Sequence, residues 1–446
     1  MISTHAVTAK LVTGRAVATL AALGCVLLLG GWVLSRHEQQ ARMSEETSPS
    51  VAANEQARPG KPTGGIQAPA GWGAVPVQPV AQAGSTAWTA PPTLPPLTLE
   101  ECVTAKVRAM SLRQKLGQVM MVGIPEGWSA SNPGILGDIT PGAVILYKRN
   151  ISSKAQLVSL IHRLQMVVAR RTDVKTFIAI DHEGGRVNRL PISSFTSFPP
   201  NRTVGGRGDA LTFVQGEARV MARELLAVGI YMNLAPVVDV CTNPDNPDIK
   251  DRAYGADTAR VSQLGSAFIR AAGGEGLLVV AKHFPGYGPI GRNPHKGLPV
   301  VHLSAASWEK VHKPPFQAAI DAEVPGMMTG HVVYTALDAS GVPASLSRTI
   351  TTDLLRRKMG FRGMILTDDL EMGAITSNYD VGQAAVRAMN AGADILLVCH
   401  TQQAQQRVTQ ALQLALQGGK LPMRRLDEAV WRILWYKAVA GLWNPR

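Results

Sequence analysis

Residues 363–375 read GMILTDDLEMGAI, a short apolar run that ends in two adjacent carboxylates and passes into a helix-like segment. An apolar run of this length, opened by glycine and closed by charge, reads as a buried strand. Seven other runs share the design: GQVMMVGI (117–124), GAVILY (142–147), TFIAID (176–181), YMNLAPVVDV (231–240), LLVVAKHF (277–284), GMMTGHVVY (326–334) and DILLVC (394–399). Amphipathic segments such as SKAQLVSLIHRLQMVVARR (153–171) and DTARVSQLGSAFIRAAGGEG (257–276) lie between them. Nearly continuous apolar strands that alternate with helices predict an α/β fold whose parallel sheet is covered on both faces. Eight such units in about 350 residues fit a (β/α)8 TIM-like barrel, with a doubly wound sheet as the competing arrangement.

The ends of the runs separate the two. A barrel gathers chemistry at the C-terminal ends of many strands, whereas a doubly wound sheet concentrates it at one switch point. Polar residues close almost every run: Asp181 with Glu183, Asp239, Lys282 with His283, His331, Asp368 with Asp369, and His400. That distribution predicts the barrel, over residues 98–446.

What precedes residue 98 has a different character. Residues 16–34, AVATLAALGCVLLLGGWVL, form a nineteen-residue run without a charge, preceded by Lys10 and Arg15. That length just spans a bilayer, and the preceding cations favour a cytoplasmic N-terminus. Residues 1–36 are therefore expected to be a single-pass anchor in a bacterial inner membrane, with the rest of the chain in the periplasm. A cleaved signal, or a lipoprotein signal ending at Cys25, is the alternative. Residues 37–97 hold ten of the 29 prolines among Ala, Gln, Gly and Ser. Such a composition cannot bury enough apolar surface to offset its ordering entropy and predicts a disordered linker.

Net charge is +13, and from residue 98 onward 39 Lys+Arg face 28 Asp+Glu, leaving +11 in the folded part. The cations are scattered singly, with no basic helix and no interleaved aromatics, which argues against a nucleic-acid partner. A basic surface suits anionic envelope polymers or lipid headgroups, and solubility alone equally well. The four cysteines form no CxxC pair and no zinc spacing, so neither a disulfide framework nor a metal is expected, and no cofactor.

Three stretches carry the candidate chemistry. In ILTDDLEMGAI (365–375) successive strand residues face opposite sides, so one carboxylate should reach the barrel mouth. Asp368 is assigned to the mouth and Asp369 to helix capping or support. IAIDHEGGRVNRL (178–190) ends a strand with Asp181, then a glycine pair and two arginines. A carboxylate and a guanidinium at a barrel mouth can bind vicinal hydroxyls, or simply brace a tight turn. KHFPGYGPIGRNPH (282–295) gathers Lys282, His283 and His295 in a loop stiffened by proline. Several histidines beside such a turn raise the possibility of proton transfer.

Six stretches together resemble a known family. DHEGGRVNRL (181–190), NLAPVVDV (233–240), DRAYGAD (251–257), AKHFPGYG (281–288) with His295, GFRGMILTDDLEMGAI (360–375) and RRLDEAVWRIL (424–434) are similar to the single-domain β-N-acetylhexosaminidases of glycoside hydrolase family 3. They occur in the family's order from about residue 98 onward, with the apolar run and linker outside the match. The resemblance implies that Asp368 is the nucleophile and that His295, at the tip of a mobile loop, is the general acid/base. It also implies that Asp181, Arg189, Arg252, Lys282 and His283 hold the hydroxyls of a terminal N-acetylglucosamine. The implied partner is an amino-sugar glycoside derived from peptidoglycan, cleaved with retention.

The loop departs from the family pattern, which reads roughly KHFPGHGDTxxDSH. Asn293 stands where an aspartate pairs with the histidine, Tyr287 replaces the second loop histidine, and Pro289 and Pro294 are added. Asparagine can orient an imidazole but cannot stabilise imidazolium as a carboxylate does, and two prolines stiffen the loop. Two other readings stay open: the same scaffold acting on another β-glycoside, and a non-catalytic sugar-binding protein of the envelope.

Overall fold

The computed structural model describes residues 98–445; the apolar run at 16–34 and the Pro-rich stretch at 37–97 lie outside the described residues. Ten strands follow in chain order: β1 (Met120–Gly123), β2 (Ala143–Leu146), β3 (Phe177–Ile180), β4 (Met232–Asn233), β5 (Leu278–Phe284), β6 (Val300–Val301), β7 (Gly326–Thr329), β8 (Val333–Tyr334), β9 (Met364–Asp369) and β10 (Ile395–Val398). Eight of them close into a parallel barrel in the order β1-β10-β9-β7-β5-β4-β3-β2. Each of the eight apolar runs supplies one barrel strand, as the sequence predicts. Among the described residues no helix is long and apolar enough to cross a membrane.

The strands are apolar along most of their length because both faces are covered. All residues of β1, β2, β3, β7 and β10 are buried. The covering helices begin where side chains can take up their free N–H groups: Ser153 accepts from Gln156, Asp257 from Arg260, Asp380 from Gln383 and Thr401 from Ala404. Each such cap contributes about 1 kcal/mol.

Two runs are shorter as strands than they look in sequence. Residues 231–240 give only two residues of ladder, because Pro236 has no N–H to donate. The chain still follows β5 irregularly, with Val280 N–H on the Ala235 carbonyl (3.0 Å) and Val238 N–H on that of Lys282 (2.9 Å). Residues 326–334 break at Gly330, and β8 leaves the barrel to pair with β6. That small sheet fixes the far end of the 285–299 loop above the barrel.

The register is shifted at two places, between β5 and β7 and between β9 and β10. An irregular ladder re-aims neighbouring side chains that strict alternation would separate. Both irregularities lie at strand ends that carry adjacent polar pairs, Lys282 with His283 and Asp368 with Asp369.

At the opposite face of the barrel an ion cluster centres on one carboxylate. Asp394, at the foot of β10, is fully buried and meets Arg356 (2.7 Å), Arg425 (2.6 Å) and Arg432 (2.9 Å) while accepting from Ile365 N–H (3.0 Å). Such satisfaction at the N-terminal face belongs to stability, not catalysis.

Candidate active site

A cavity of about 460 Å³ opens at the C-terminal ends of the strands and is lined by Asp181, Arg189, Arg252, Lys282, His283, His295, Asp368 and Asp369, among others. Every candidate from the sequence is thus brought to one site except Asn293. The last turn of the first motif is made by Gly184 and Gly185, at φ +94° and +55°. A Cβ on Gly184 would stand 2.6 Å from the Pro199 carbonyl oxygen, so only glycine fits. His182 turns away from the cavity, and its Nδ1 accepts the Arg189 N–H (3.4 Å). Burial pushes its imidazole down to about 4, which keeps it a neutral acceptor. Arg189 Nε is buried without a hydrogen-bond partner among the described residues, an unused donor beside the cavity.

The polar floor is one connected network. Lys282 Nζ lies 2.7 Å from Asp181 Oδ1 and 2.6 Å from Glu183 Oε1. Arg252 clamps Glu183 through Nε (2.8 Å) and Nη2 (2.9 Å) and reaches Asp248 through Nη1 (3.0 Å). The same Nη2 stands 3.3 Å from His283 Nε2. A guanidinium can only donate, so His283 Nε2 accepts and its Nδ1–H is given to Asp239 Oδ2 at 2.8 Å. Burial alone would raise the Glu183 carboxyl; Arg252 and Lys282 outweigh it and hold the group far below the ordinary range. Burial would likewise depress the Lys282 amine, yet Asp181 and Glu183 raise it, so the cation persists.

Asp368 sits at the end of this network. Its Oδ2 accepts from the Tyr287 hydroxyl (3.0 Å) and its Oδ1 from Asp369 N–H (2.9 Å). Burial pushes the carboxyl up, while the imidazoles of His283, His331 and His295 and the Asp369 amide pull it down; the net position is below the ordinary aspartate value. A carboxylate kept ionised in a sugar-sized cavity is suited to attack an electrophilic carbon.

Sequence alternation gives one of the two adjacent carboxylates to the mouth, but the shifted register brings both to the cavity lining. The supporting role expected of Asp369 has a specific form. Its Oδ1 accepts from Glu371 N–H (3.1 Å) and Cys399 N–H (3.3 Å), and its Oδ2 pairs with His400 Nε2 (2.9 Å). That bond raises the His400 imidazole above its ordinary value.

His295 lines the cavity from above and is itself exposed. The loop tip is docked by the Ala374 N–H on the Pro294 carbonyl (2.9 Å), five residues beyond Asp369. Gly373 makes the approach possible, since a Cβ there would lie 2.5 Å from the His295 carbonyl oxygen. The expected part of Asn293 as an imidazole partner is not what the structure gives. Its side-chain oxygen accepts the backbone N–H of His295 (2.9 Å), and its carbonyl accepts from Lys296 (2.9 Å) and Gly297 (3.2 Å). Asparagine prefers such a local backbone bond in a tight turn.

Sequence reasoning left four contributors without a role: Glu183, Asp239, Tyr287 and His400. All but Tyr287 were visible as polar residues at strand ends; Tyr287 was visible as a departure from a pattern. Among the described residues no group of three or more metal-ligating side chains occurs.

Residues 111–435 match the family described as the glycosyl hydrolase family 3 N-terminal domain. This chain belongs to that family. Beta-hexosaminidase A of Pseudoalteromonas piscicida is 37% identical over 273 residues, which are 58% of this chain and 45% of that protein. The beta-hexosaminidase of Bordetella avium (strain 197N) is 34% identical over 264 residues, covering 58% and 73%. Among solved structures, a glycoside hydrolase family 3 β-N-acetylglucosaminidase from Paenibacillus sp. superposes with a TM-score of 0.72 at 36% identity, over 75% of this chain and 63% of that one. The match therefore spans less than half the length of the P. piscicida relative.

Proposed function

We propose that the chain is a retaining exo-β-N-acetylglucosaminidase that removes terminal N-acetylglucosamine from peptidoglycan fragments or related glycosides. The observation that carries this reading is the meeting of an ionised Asp368 and the docked His295 at one cavity, above a floor of paired cations and carboxylates. Asp368 attacks the anomeric carbon as the bond to the leaving oxygen breaks, and His295 gives that oxygen a proton. Water then attacks the glycosyl ester, His295 takes its proton, and the Asp368 carboxylate is released. Lys282, Asp181 and Arg189 have donors and acceptors suited to the sugar hydroxyls.

Turnover of a nitrophenyl N-acetylglucosaminide by the full chain in detergent tests the reading. Asp368→Asn should reduce turnover to background while the unfolding transition is kept. A second reading is favoured by one observation: among the described residues no carboxylate pairs with the His295 ring. A site that binds the sugar without cleaving it would show saturable N-acetylglucosamine binding and no release of nitrophenol.

The proposal extends to location. Residues 1–36 anchor the chain in a bacterial inner membrane, and residues 37–97 tether the barrel in the periplasm. Fractionation should place the full chain with membranes, and a reporter active only in the periplasm should work when fused at the C-terminus. Recovery of the intact chain from the cytoplasmic fraction would overturn this.

A further inference from the structure

The loop leaving β5 carries an aromatic where the family pattern has its second histidine, and the surroundings of that ring are built around it. Tyr287 is 1% exposed. Its N–H donates to Asp239 Oδ1 (2.6 Å), while the other oxygen of that carboxylate takes His283 Nδ1–H (2.8 Å). One buried carboxylate thus fixes both residues. The Tyr287 ring stacks on His283 with centroids 4.5 Å apart. Its other flank needs Gly330, where a Cβ would stand 2.8 Å from Cε1 and Cζ.

The hydroxyl has two partners. It accepts the His331 N–H (2.6 Å) and lies 3.0 Å from Asp368 Oδ2. The backbone amide can only donate, so the single phenolic proton goes to Asp368. His331 is itself held, with Nε2–H on the Asp369 carbonyl (2.9 Å) and Nδ1 on Ser345 Oγ (2.7 Å).

We propose that Tyr287 is a positioning residue for the nucleophile: its hydroxyl, aimed by the His331 amide, holds Asp368 Oδ2 while the Asp369 amide holds Oδ1, so the carboxylate enters the reaction in one fixed orientation. This rests on the reading of Asp368 as nucleophile. The hydroxyl stays a donor across the working range, because burial and then the Asp368 charge push its ionisation well above the ordinary tyrosine value.

A hydrogen bond to a carboxylate favours its charged form, so removing it raises the carboxyl. The other groups acting on Asp368 are His283 on β5, His331 beyond β7, His295 on the docked loop and the Asp369 amide; Asp239 and Asp248 face Tyr287. None of these changes in Tyr287→Phe.

In the full-length protein, Tyr287→Phe should move the acid limb of the kcat/KM profile up by about one pH unit, the size expected for one lost charge-assisted bond. It should lower kcat about tenfold or more, as a misplaced nucleophile does, with little change in KM. Tyr287→His keeps a donor and should recover part of both effects. A limb and kcat unchanged in Tyr287→Phe would overturn the proposal. A readout independent of turnover is the thermal unfolding of Tyr287→Phe, Asp368→Asn and the double variant. The bond predicts non-additive Tm shifts, and additive shifts would overturn the contact even if the nucleophile lies elsewhere. Wild-type labelling by a fluorosugar at another carboxylate, with non-additive Tm shifts, would instead overturn the functional reading and with it the role given to Tyr287.

Discussion

Replacing Glu183 by glutamine removes a charge that Lys282 and Arg252 share. The Glu183 side chain is 1% exposed, with Oε1 2.6 Å from Lys282 Nζ and Oε2 2.8 Å from Arg252 Nε. Breaking a buried pair from one side costs about 3–5 kcal/mol, because the other charge stays buried. Lys282 keeps Asp181 at 2.7 Å and Arg252 keeps Asp248 at 3.0 Å, so the lower end applies, about 3 kcal/mol. With a urea m-value of about 3 kcal/mol/M, the unfolding midpoint should fall by about 1 M. The pH dependence has a definite sign. The Glu183 carboxyl lies far below its ordinary value when folded. Its contribution is therefore complete above the unfolded value of about 4.3 and is lost as pH falls toward the folded one. The gap between wild type and Glu183→Gln should be constant from about pH 7 to pH 5 and should narrow in stronger acid. A midpoint shift below about 0.2 M, or a gap that widens in acid, would refute the reasoning.

Gly373→Ala should displace the loop tip, since the new methyl would meet the His295 carbonyl at 2.5 Å. Overpacking of this kind costs about 1–3 kcal/mol, and kcat should fall far more than for an alanine at the exposed Gly208, where a Cβ has nothing within 4 Å. Asp394→Ala leaves three partly buried arginines without this carboxylate and should cost about 3 kcal/mol in urea unfolding, with kcat retained at low temperature because the site is on the other face. Lys437 is fully buried, donates to Gln118 Oε1 (2.7 Å), and burial pushes its amine down to about 7. The unfolded chain binds the extra proton between that value and about 10.4, so wild-type stability rises with pH across this window. Lys437→Met should be more stable near neutrality and should lose that rise in paired urea titrations at pH 7 and pH 9.5.

The barrel was legible because a strand covered on both faces must be apolar along its length and can change character only where it ends. All eight runs became barrel strands for that reason. Their pairing with polar ends also located the cavity. What sequence could not supply was partnership across the barrel. Arg252 and Glu183 are 69 residues apart, and the Tyr287–Asp368 bond spans 81. Alternation could not show that Asp369, besides its supporting bonds, also reaches the cavity, because the ladder slips between Ile395 and Leu397, a feature of packing between strands. The family pattern sets an imidazole partner at position 293, whereas the Asn293 amide satisfies the nearer demand, the His295 backbone N–H of its own turn. Glu183 was visible at a strand end, but its two cations come from other segments of the chain.

The central claim is that Asp368 carries the sugar. Incubating the full-length protein with a mechanism-based fluorinated N-acetylglucosaminyl donor should halt turnover and leave one covalent sugar per chain. Peptide mass spectrometry should place it on Asp368, with none on Asp369 and none in Asp368→Asn. Labelling of Asp369 or of another carboxylate, or product released with inverted anomeric configuration and no trapped ester, would contradict the account.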